Sequence, residues 1–207
     1  MLLVGGSGAV GLEVLRLALG NIHIERVTAP TRRPLPPAER LDNPVVDLAS
    51  LMDDAPCWRA DAVICTLGTT IKAAGSQAAF AAVDRDLPIR VARRAREAGA
   101  TRFALNSSLG ASLRGNFYLR TKAETEQGIR AVGYPSYTIV RPSLIDARRT
   151  EPRTGERAGL FVLNILRPLV PRRYRPVKAA SIAAVLLDAV VSGTPGEHLR
   201  NSEDIPE

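Results

Sequence analysis

An α/β fold, a doubly wound parallel sheet with a small C-terminal cap, is what this 207-residue sequence predicts. Short apolar runs alternate with longer amphipathic stretches along most of the chain, the pattern of strands joined by crossover helices. A glycine-rich turn links the first strand-like run to the first helix-like one. The length suits one domain over 1–207 and is too short for two ordinary ones, with residues from about 145 to 207 building the cap.

Strands are expected at 1–5, 24–29, 44–47, 61–66, 102–106 and 137–141, with a late one near 197–200. The first helix is expected at 9–19, with Gly20 as its C-cap. A second spans 76–98, where Val83, Leu87, Val91 and Ala95 recur every four residues and the arginines between them turn outward. Pro88 predicts a kink or loosened turn in that helix. A third helix runs from Asn116 to about Val132. Residues 148–157 read as an exposed loop, and helices are expected at 158–167 and 179–192.

Composition narrows the function. Hydrophobic residues make up 45% and charged residues 24%, the balance of a soluble globular protein. No apolar run approaches the ~20 residues needed to cross a membrane. The opening Met1-Leu2-Leu3-Val4 stops at Gly5-Gly6 without a basic leader, which predicts a cytoplasmic protein. Cys57 and Cys65 have no metal-ligand spacing, so they read as free thiols and no metal is expected. The net charge is +7, with only Lys72, Lys122 and Lys178 as lysines among 28 basic residues. The arginines are interspersed with acids and lack an aromatic stacking platform, which argues against nucleic acid. The expected partner is a small-molecule substrate, met by a monomer or homodimer.

Gly5-Gly6-Ser7-Gly8-Ala9-Val10-Gly11 places glycines at G-x-x-G-x-x-G spacing between a strand and a helix. Gly5 permits the tight turn, Gly8 lets backbone approach a dinucleotide diphosphate, and Gly11 allows close helix–strand packing. The helix N-terminus then offers free amides to that diphosphate. An NAD site places an acid about 20 residues past such glycines, at the end of the second strand. Here the stretch reads Val27-Thr28-Ala29-Pro30-Thr31-Arg32-Arg33, with two arginines where the acid would be. An arginine fork binds a ribose 2′-phosphate through charge-assisted hydrogen bonds, so NADP(H) is favoured over NAD(H). Asp47, ending the third strand, either accepts a hydrogen bond from the adenine amino group or stands in solvent.

Tyr118 and Lys122 form a Y-x-x-x-K pair on one helix face. A fixed ammonium beside a phenol stabilises the phenolate, which readies the hydroxyl to give or take a proton while hydride moves. Ser107 and Ser108 end the fifth strand, where a hydroxyl can bond the substrate oxygen as charge develops.

These residues together resemble the short-chain dehydrogenase/reductase superfamily, and more narrowly its atypical Tat-interacting-protein group with bacterial relatives. The likeness covers nearly the whole chain. It is carried by the glycine loop, Thr31-Arg-Arg33, Val46-Asp47, Cys65-Thr-Leu-Gly-Thr-Thr70, Lys72-Ala-Ala-Gly75, Val83-Asp-Arg-Asp86, Asn106-Ser-Ser-Leu-Gly-Ala111, Asn116-Phe-Tyr-Leu-Arg-Thr-Lys122 and Val140-Arg-Pro-Ser143. The resemblance implies a Rossmann fold in which Gly5, Ser7, Gly8, Ala9 and Val10 hold the diphosphate and Arg32, with Arg33 beside it, holds the 2′-phosphate. Leu67, Gly68 and Thr69 would line the cofactor after the fourth strand. Ser107, Tyr118 and Lys122 would be catalytic, with Lys122 also reaching the nicotinamide ribose. Pro142, Ser143 and Leu144 would border the nicotinamide. Ser107 matches the family serine better than Ser108, although the loop from it to Tyr118 is short.

The function expected is an NADP(H)-dependent oxidoreductase reducing a carbonyl, or oxidising a hydroxyl, of a small molecule. Two other classes share the pattern. A cofactor-sensing regulator would bind NADPH without turnover, but an intact Ser-Tyr-Lys set favours chemistry. A nucleotide-sugar epimerase or dehydratase usually has a longer C-terminal substrate region.

Overall fold

Leu3 points to one face of strand β1 (Leu2–Val4), and Leu2 and Val4 point to the other; both faces are buried. The same alternation runs through β4 (Ala62–Cys65) and β5 (Arg102–Asn106). Strands buried on both sides read as continuous apolar runs and need helices above and below. A computed structural model, which describes residues 1–146 and 171–206, shows that arrangement.

Seven parallel strands form the main sheet in the order β3 (Leu41–Asp42), β2 (Val27–Thr28), β1, β4, β5, β6 (Ser136–Arg141) and β9 (Gly196–Asn201). Helices α1 (Ala9–Gly20) and α6 (Ala179–Ser192) cover one face, burying Val14, Leu186 and Val190 against Leu3, Ile64 and Ala104. Leu186 is fully buried, so Leu186→Ala costs about 2–5 kcal/mol. Helices α4 (Leu87–Glu97) and α5 (Phe117–Arg130) cover the other face, where Val91 and Ile129 meet Val63, Phe103 and Leu105. Of the C-terminal stretch expected as a cap, α6 and β9 join this sandwich. β7 (Ile145–Asp146) and β8 (Val177–Lys178) pair as a separate two-stranded sheet. The loop expected at 148–157 and the helix at 158–167 lie outside the described residues.

Two local expectations need correction. The third strand forms at Leu41–Asp42 rather than 44–47, and pairing resumes only at an isolated Thr31–Val45 bridge. Pro30 and Pro44 lack the N–H that a continuous ladder requires there. Gly20 is the last residue of α1, and Asn21 caps it in extended conformation. The Arg40 guanidinium closes that end by donating to the carbonyls of Leu19, Asn21 and Ile24.

The helix expected at 76–98 forms as one unbroken run over 77–97 after the short helix α2 (Ile71–Ala74). Within it, α3 (Gln77–Ala81) passes through a π-helical segment, Ala82–Asp86, into α4. Pro88 explains this loosened turn, as expected, since it cannot donate back to the carbonyl of Asp84. That carbonyl instead accepts a 2.8 Å hydrogen bond from Thr125 Oγ1 on α5.

The chain leaves β1 toward β2 and later returns to β4 on β1's other side. That reversal opens a crevice beyond the carboxyl ends of β1 and β4, where open α/β sheets bind ligands.

Candidate functional site

The glycine loop sits at this crevice. Gly5 adopts φ +85°, and a Cβ there would come within 2.6 Å of the Thr66 carbonyl carbon. A Cβ on Gly11 would lie 2.1 Å from the Gly5 oxygen, so the loop folds this way only with glycine at both positions. Thr66, following β4, donates its hydroxyl to the carbonyls of Val4 and Gly5 at 3.1 Å each, tying the two crevice walls together. Helix α1 begins at Gly8 with no side-chain cap and no acid in its first turn. Its first i→i+4 bond runs from Leu12 N–H to Gly8 O at 2.8 Å, which leaves the Ala9 and Val10 amides ahead of the ladder. Such an end holds anions.

A cleft of about 630 Å³ opens here, lined by Gly5, Ser7, Gly8, Arg32, Asp47 and the Leu67–Thr69 stretch, among others. Its volume suits a small molecule or cofactor. Other hollows of about 490 and 870 Å³ lie between α6 and β9 and near the amino ends of the strands. They lack the glycine loop and its amide donors, so the smaller cleft beside β1 and β4 is the better candidate than the larger hollow.

At the far end of the cleft, Arg32 is in the lining and Arg33 is exposed outside it. Asn43 holds this turn. Its Nδ2 donates to Ala29 O (2.5 Å) and Thr31 Oγ1 (2.8 Å), and its Oδ1 accepts from Leu35 N–H (2.7 Å). Asp47 caps a 3₁₀ turn, Leu48–Ser50, with Oδ1 accepting from Ala49 N–H at 3.0 Å, and it borders the cleft.

Asn116, Tyr118 and Lys122 are not among the residues lining this cleft. Asn116 caps α5 by accepting from Leu119 N–H at 3.0 Å. Tyr118 is half-buried, with its ring 5.6 Å from that of Phe80 on α3. The Lys122 Nζ lies 5.9 Å from the Tyr118 ring centroid. Lys122 donates to Asp84 Oδ1 at 2.7 Å, and both side chains are buried. Asp84 Oδ2 accepts the Thr69 N–H at 2.8 Å.

The two serines differ. Ser107 is buried and donates to Glu126 Oε1 at 2.5 Å; Glu126, itself 2% exposed, also accepts from Arg141 Nε at 2.9 Å. Ser108 is half-buried, and its hydroxyl makes only a long 3.4 Å contact with Leu109 O. Nearby, Asn106 Oδ1 is buried without a hydrogen-bond partner among the described residues, an unsatisfied acceptor at the carboxyl end of β5.

Pro142 is buried and its carbonyl accepts from Leu109 N–H at 2.8 Å. Ser143 is tied down through its N–H to Ser202 Oγ (3.2 Å) and through its hydroxyl to Arg175 O. Leu144 is 58% exposed.

Sequence reasoning gave no role to Asp84, Asn43 or the Glu126–Arg141 pair, although Asp84 and Arg141 lie in stretches that carry the resemblance. Glu126 had a signal, since it continues the Tyr118, Lys122 spacing by one more turn. The Cys65 thiol lies fully buried and burial pushes it up to about 12, so it is no nucleophile at neutral pH.

A family model described as NAD(P)H-binding matches residues 5–192. The chain belongs to this NAD(P)H-binding family. Its glycine cradle and uncapped α1 amides fit the diphosphate that such a family holds. The fmp52 protein of Emericella nidulans is 33% identical over 175 residues, spanning 79% of this chain and 74% of that one. Rat HTATIP2 is 34% identical over 160 residues, spanning 74% and 66%. These relatives place the chain in the atypical short-chain dehydrogenase/reductase group. Among solved structures, MoeE5 in complex with UDP-glucose and NAD has a TM-score of 0.71 at 18% identity, covering 96% of this chain and 74% of MoeE5. The oxidoreductase ylbE from Lactococcus lactis has a TM-score of 0.67 at 16% identity, covering 99% and 93%. At such identities these structures speak for the fold.

The relatives also correct one expectation. The fmp52 proteins of Emericella nidulans, Aspergillus fumigatus and Aspergillus niger are named as mitochondrial, which overturns the cytoplasmic reading of this NAD(P)H-binding chain.

Proposed function

We propose that this protein is an NADP(H)-dependent oxidoreductase that reduces a carbonyl, or oxidises the corresponding hydroxyl, of a small molecule. The observation that carries the reading is the Lys122 ammonium. It is buried beside Gly68 of the cleft wall, held by Asp84, and one helical turn from the half-buried Tyr118. A buried charge is costly unless it is paired, and its pairing next to a phenol at a cofactor cleft has a chemical use.

Bound NADPH supplies the hydride. The Tyr118 hydroxyl gives its proton to the carbonyl oxygen, and the Lys122 ammonium stabilises the phenolate left behind. Lys122 has two further N–H donors for the nicotinamide ribose. Because the Ser107 hydroxyl is directed into Glu126, the hydroxyl that meets the substrate oxygen is assigned to Ser108. Gly5, Ser7, Gly8, Ala9 and Val10 hold the diphosphate, and Leu67, Gly68 and Thr69 form the facing wall. Pro142, Ser143 and Leu144 border the nicotinamide end. The NADP(H) preference rests on Arg32, which lines the cleft where an NAD site would carry an acid.

The test is to follow loss of NADPH absorbance over a panel of aldehydes, ketones and quinones, with calorimetric NADPH binding in parallel. Reduction of at least one compound supports the reading. Tight binding with no compound reduced favours a cofactor sensor instead.

A further inference from the structure

Arg32 sits in a turn framed by two prolines, Pro30 and Pro34, whose rings each fix one backbone rotation. Arg32 lines the cleft, and its side chain makes no hydrogen bond or ion pair among the described residues. Arg40, at the other end of the same loop, is instead committed to the carbonyls of Leu19, Asn21 and Ile24. The loop from β2 to β3 thus carries a guanidinium that closes a helix and another that is left to the cleft.

Asn43, the residue after β3, fixes the backbone around Arg32. Its Nδ2 donates to Ala29 O at 2.5 Å and to Thr31 Oγ1 at 2.8 Å, and its Oδ1 accepts from Leu35 N–H at 2.7 Å. A carbonyl only accepts and an N–H only donates, so these partners determine which way the amide faces. Thr31, 6% exposed, continues the relay: its hydroxyl accepts from Asn43 and donates to Arg33 O at 2.7 Å. The main chain of Thr31 is paired as well, its N–H with Pro44 O at 3.0 Å and its carbonyl with Val46 N–H at 2.8 Å. Residues on both sides of Arg32 are therefore held, Ala29 and Thr31 before it and Arg33 and Leu35 after it.

We propose that Asn43 and Thr31 form a relay that positions Arg32 for the ribose 2′-phosphate and thereby sets the choice of NADPH over NADH. The inference rests on the 2′-phosphate role of Arg32 proposed above. The polar groups of Asn43 and Thr31 face backbone and each other, so both act through the arginine. A guanidinium holds a phosphate through paired N–H donors, and that geometry is directional. An arginine whose backbone origin is already fixed has less freedom to lose when it closes on the phosphate, which favours binding. NADH lacks the phosphate, so its affinity does not depend on the relay.

Calorimetric titrations with NADPH and with NADH test this. The proteins are the parent, Asn43→Ala, Thr31→Val, Thr31→Ser, Arg32→Ala and the double variant of Asn43→Ala with Arg32→Ala. Asn43→Ala is expected to weaken NADPH by about tenfold, the scale of one charge-assisted hydrogen bond, and to leave NADH within about twofold. Thr31→Val exchanges the relaying hydroxyl for a methyl and is expected to weaken NADPH by about threefold or more, again with NADH kept. Thr31→Ser retains the hydroxyl and is expected to stay within about twofold of the parent for both. In the Arg32→Ala background, Asn43→Ala is expected to cost NADPH no more than about twofold further. Equal losses of NADPH and NADH in Asn43→Ala mark a merely structural residue and overturn the proposal. A preference that collapses in Arg32→Ala but survives in Asn43→Ala and Thr31→Val overturns it while the arginine's role stands. Equal affinity of the parent for both cofactors removes the arginine's role and the proposal together. Should Asn43→Ala fail to fold, the Thr31 variants still decide: a preference reduced in Thr31→Val and kept in Thr31→Ser supports the proposal, and one kept in both overturns it.

Discussion

The Ser107 hydroxyl donates a 2.5 Å hydrogen bond to Glu126 Oε1. The bond links the end of β5 to α5 and directs this hydroxyl into the protein. Ser108→Ala is therefore expected to lower turnover by roughly 10²–10³-fold, as removal of an oxyanion donor does, with fold and NADPH affinity kept. Ser107→Ala is expected to cost about 1–2 kcal/mol in urea unfolding, because Glu126 loses one donor but keeps Arg141, and to change turnover by less than about tenfold. The reverse pattern would return the catalytic role to Ser107.

Arg32 lines the cleft and Arg33 does not. Arg32→Ala is expected to shrink the preference for NADPH over NADH by about 1–3 kcal/mol, and Arg33→Ala by less than about 0.5 kcal/mol. Calorimetry with both cofactors measures each change. Equal affinity of the parent for NADPH and NADH contradicts the 2′-phosphate assignment.

The glycines separate structure from binding. Gly11→Ala places a Cβ against the Gly5 oxygen, so it is expected to destabilise the fold by more than about 3 kcal/mol. Gly8→Ala meets only that same oxygen, at 3.3 Å, and is expected to cost about 1 kcal/mol or less while weakening NADPH at least tenfold, because backbone must approach the diphosphate there. Unfolding curves beside binding isotherms check the split; a Gly8→Ala protein with parental NADPH affinity goes against the cradle.

Burial raises the Cys65 thiol from 9.0 to about 12. The folded form therefore holds its proton after the unfolded chain has released its own. The stability tied to this thiol is complete below pH 9.0 and falls as pH rises from 9.0 toward about 12, by about 1.4 kcal/mol per pH unit. Urea unfolding at pH 8 and pH 10 is expected to show a steeper alkaline loss in the parent than in Cys65→Ala. Parallel losses would mean the thiol is not the group that titrates.

Much of this site is visible in local spacing. The glycine loop follows an apolar run and opens a helix, and Tyr118 and Lys122 share a helix face because four residues make about one turn. The differences arise where tertiary partners decide. Pro30 and Pro44 interrupt a ladder whose pairing spans the β2–β3 turn, so the third strand forms at Leu41–Asp42. Asp84 reads in the sequence as one of several acids on a helix, since its partner Lys122 lies 38 residues away. The inward direction of Ser107 does have a local signal. Phe103 and Leu105 face α4 and α5, and the two-residue period carries Ser107 to that same side.

The central claim is that the Tyr118 hydroxyl transfers a proton beside a Lys122-held cofactor. Tyr118→Phe removes only that hydroxyl. NADPH oxidation with a carbonyl substrate the parent reduces, measured beside NADPH affinity, tests the claim most directly. The account predicts turnover lower by roughly 10²–10⁴-fold with NADPH affinity within about twofold of the parent. Unchanged turnover in Tyr118→Phe would contradict it.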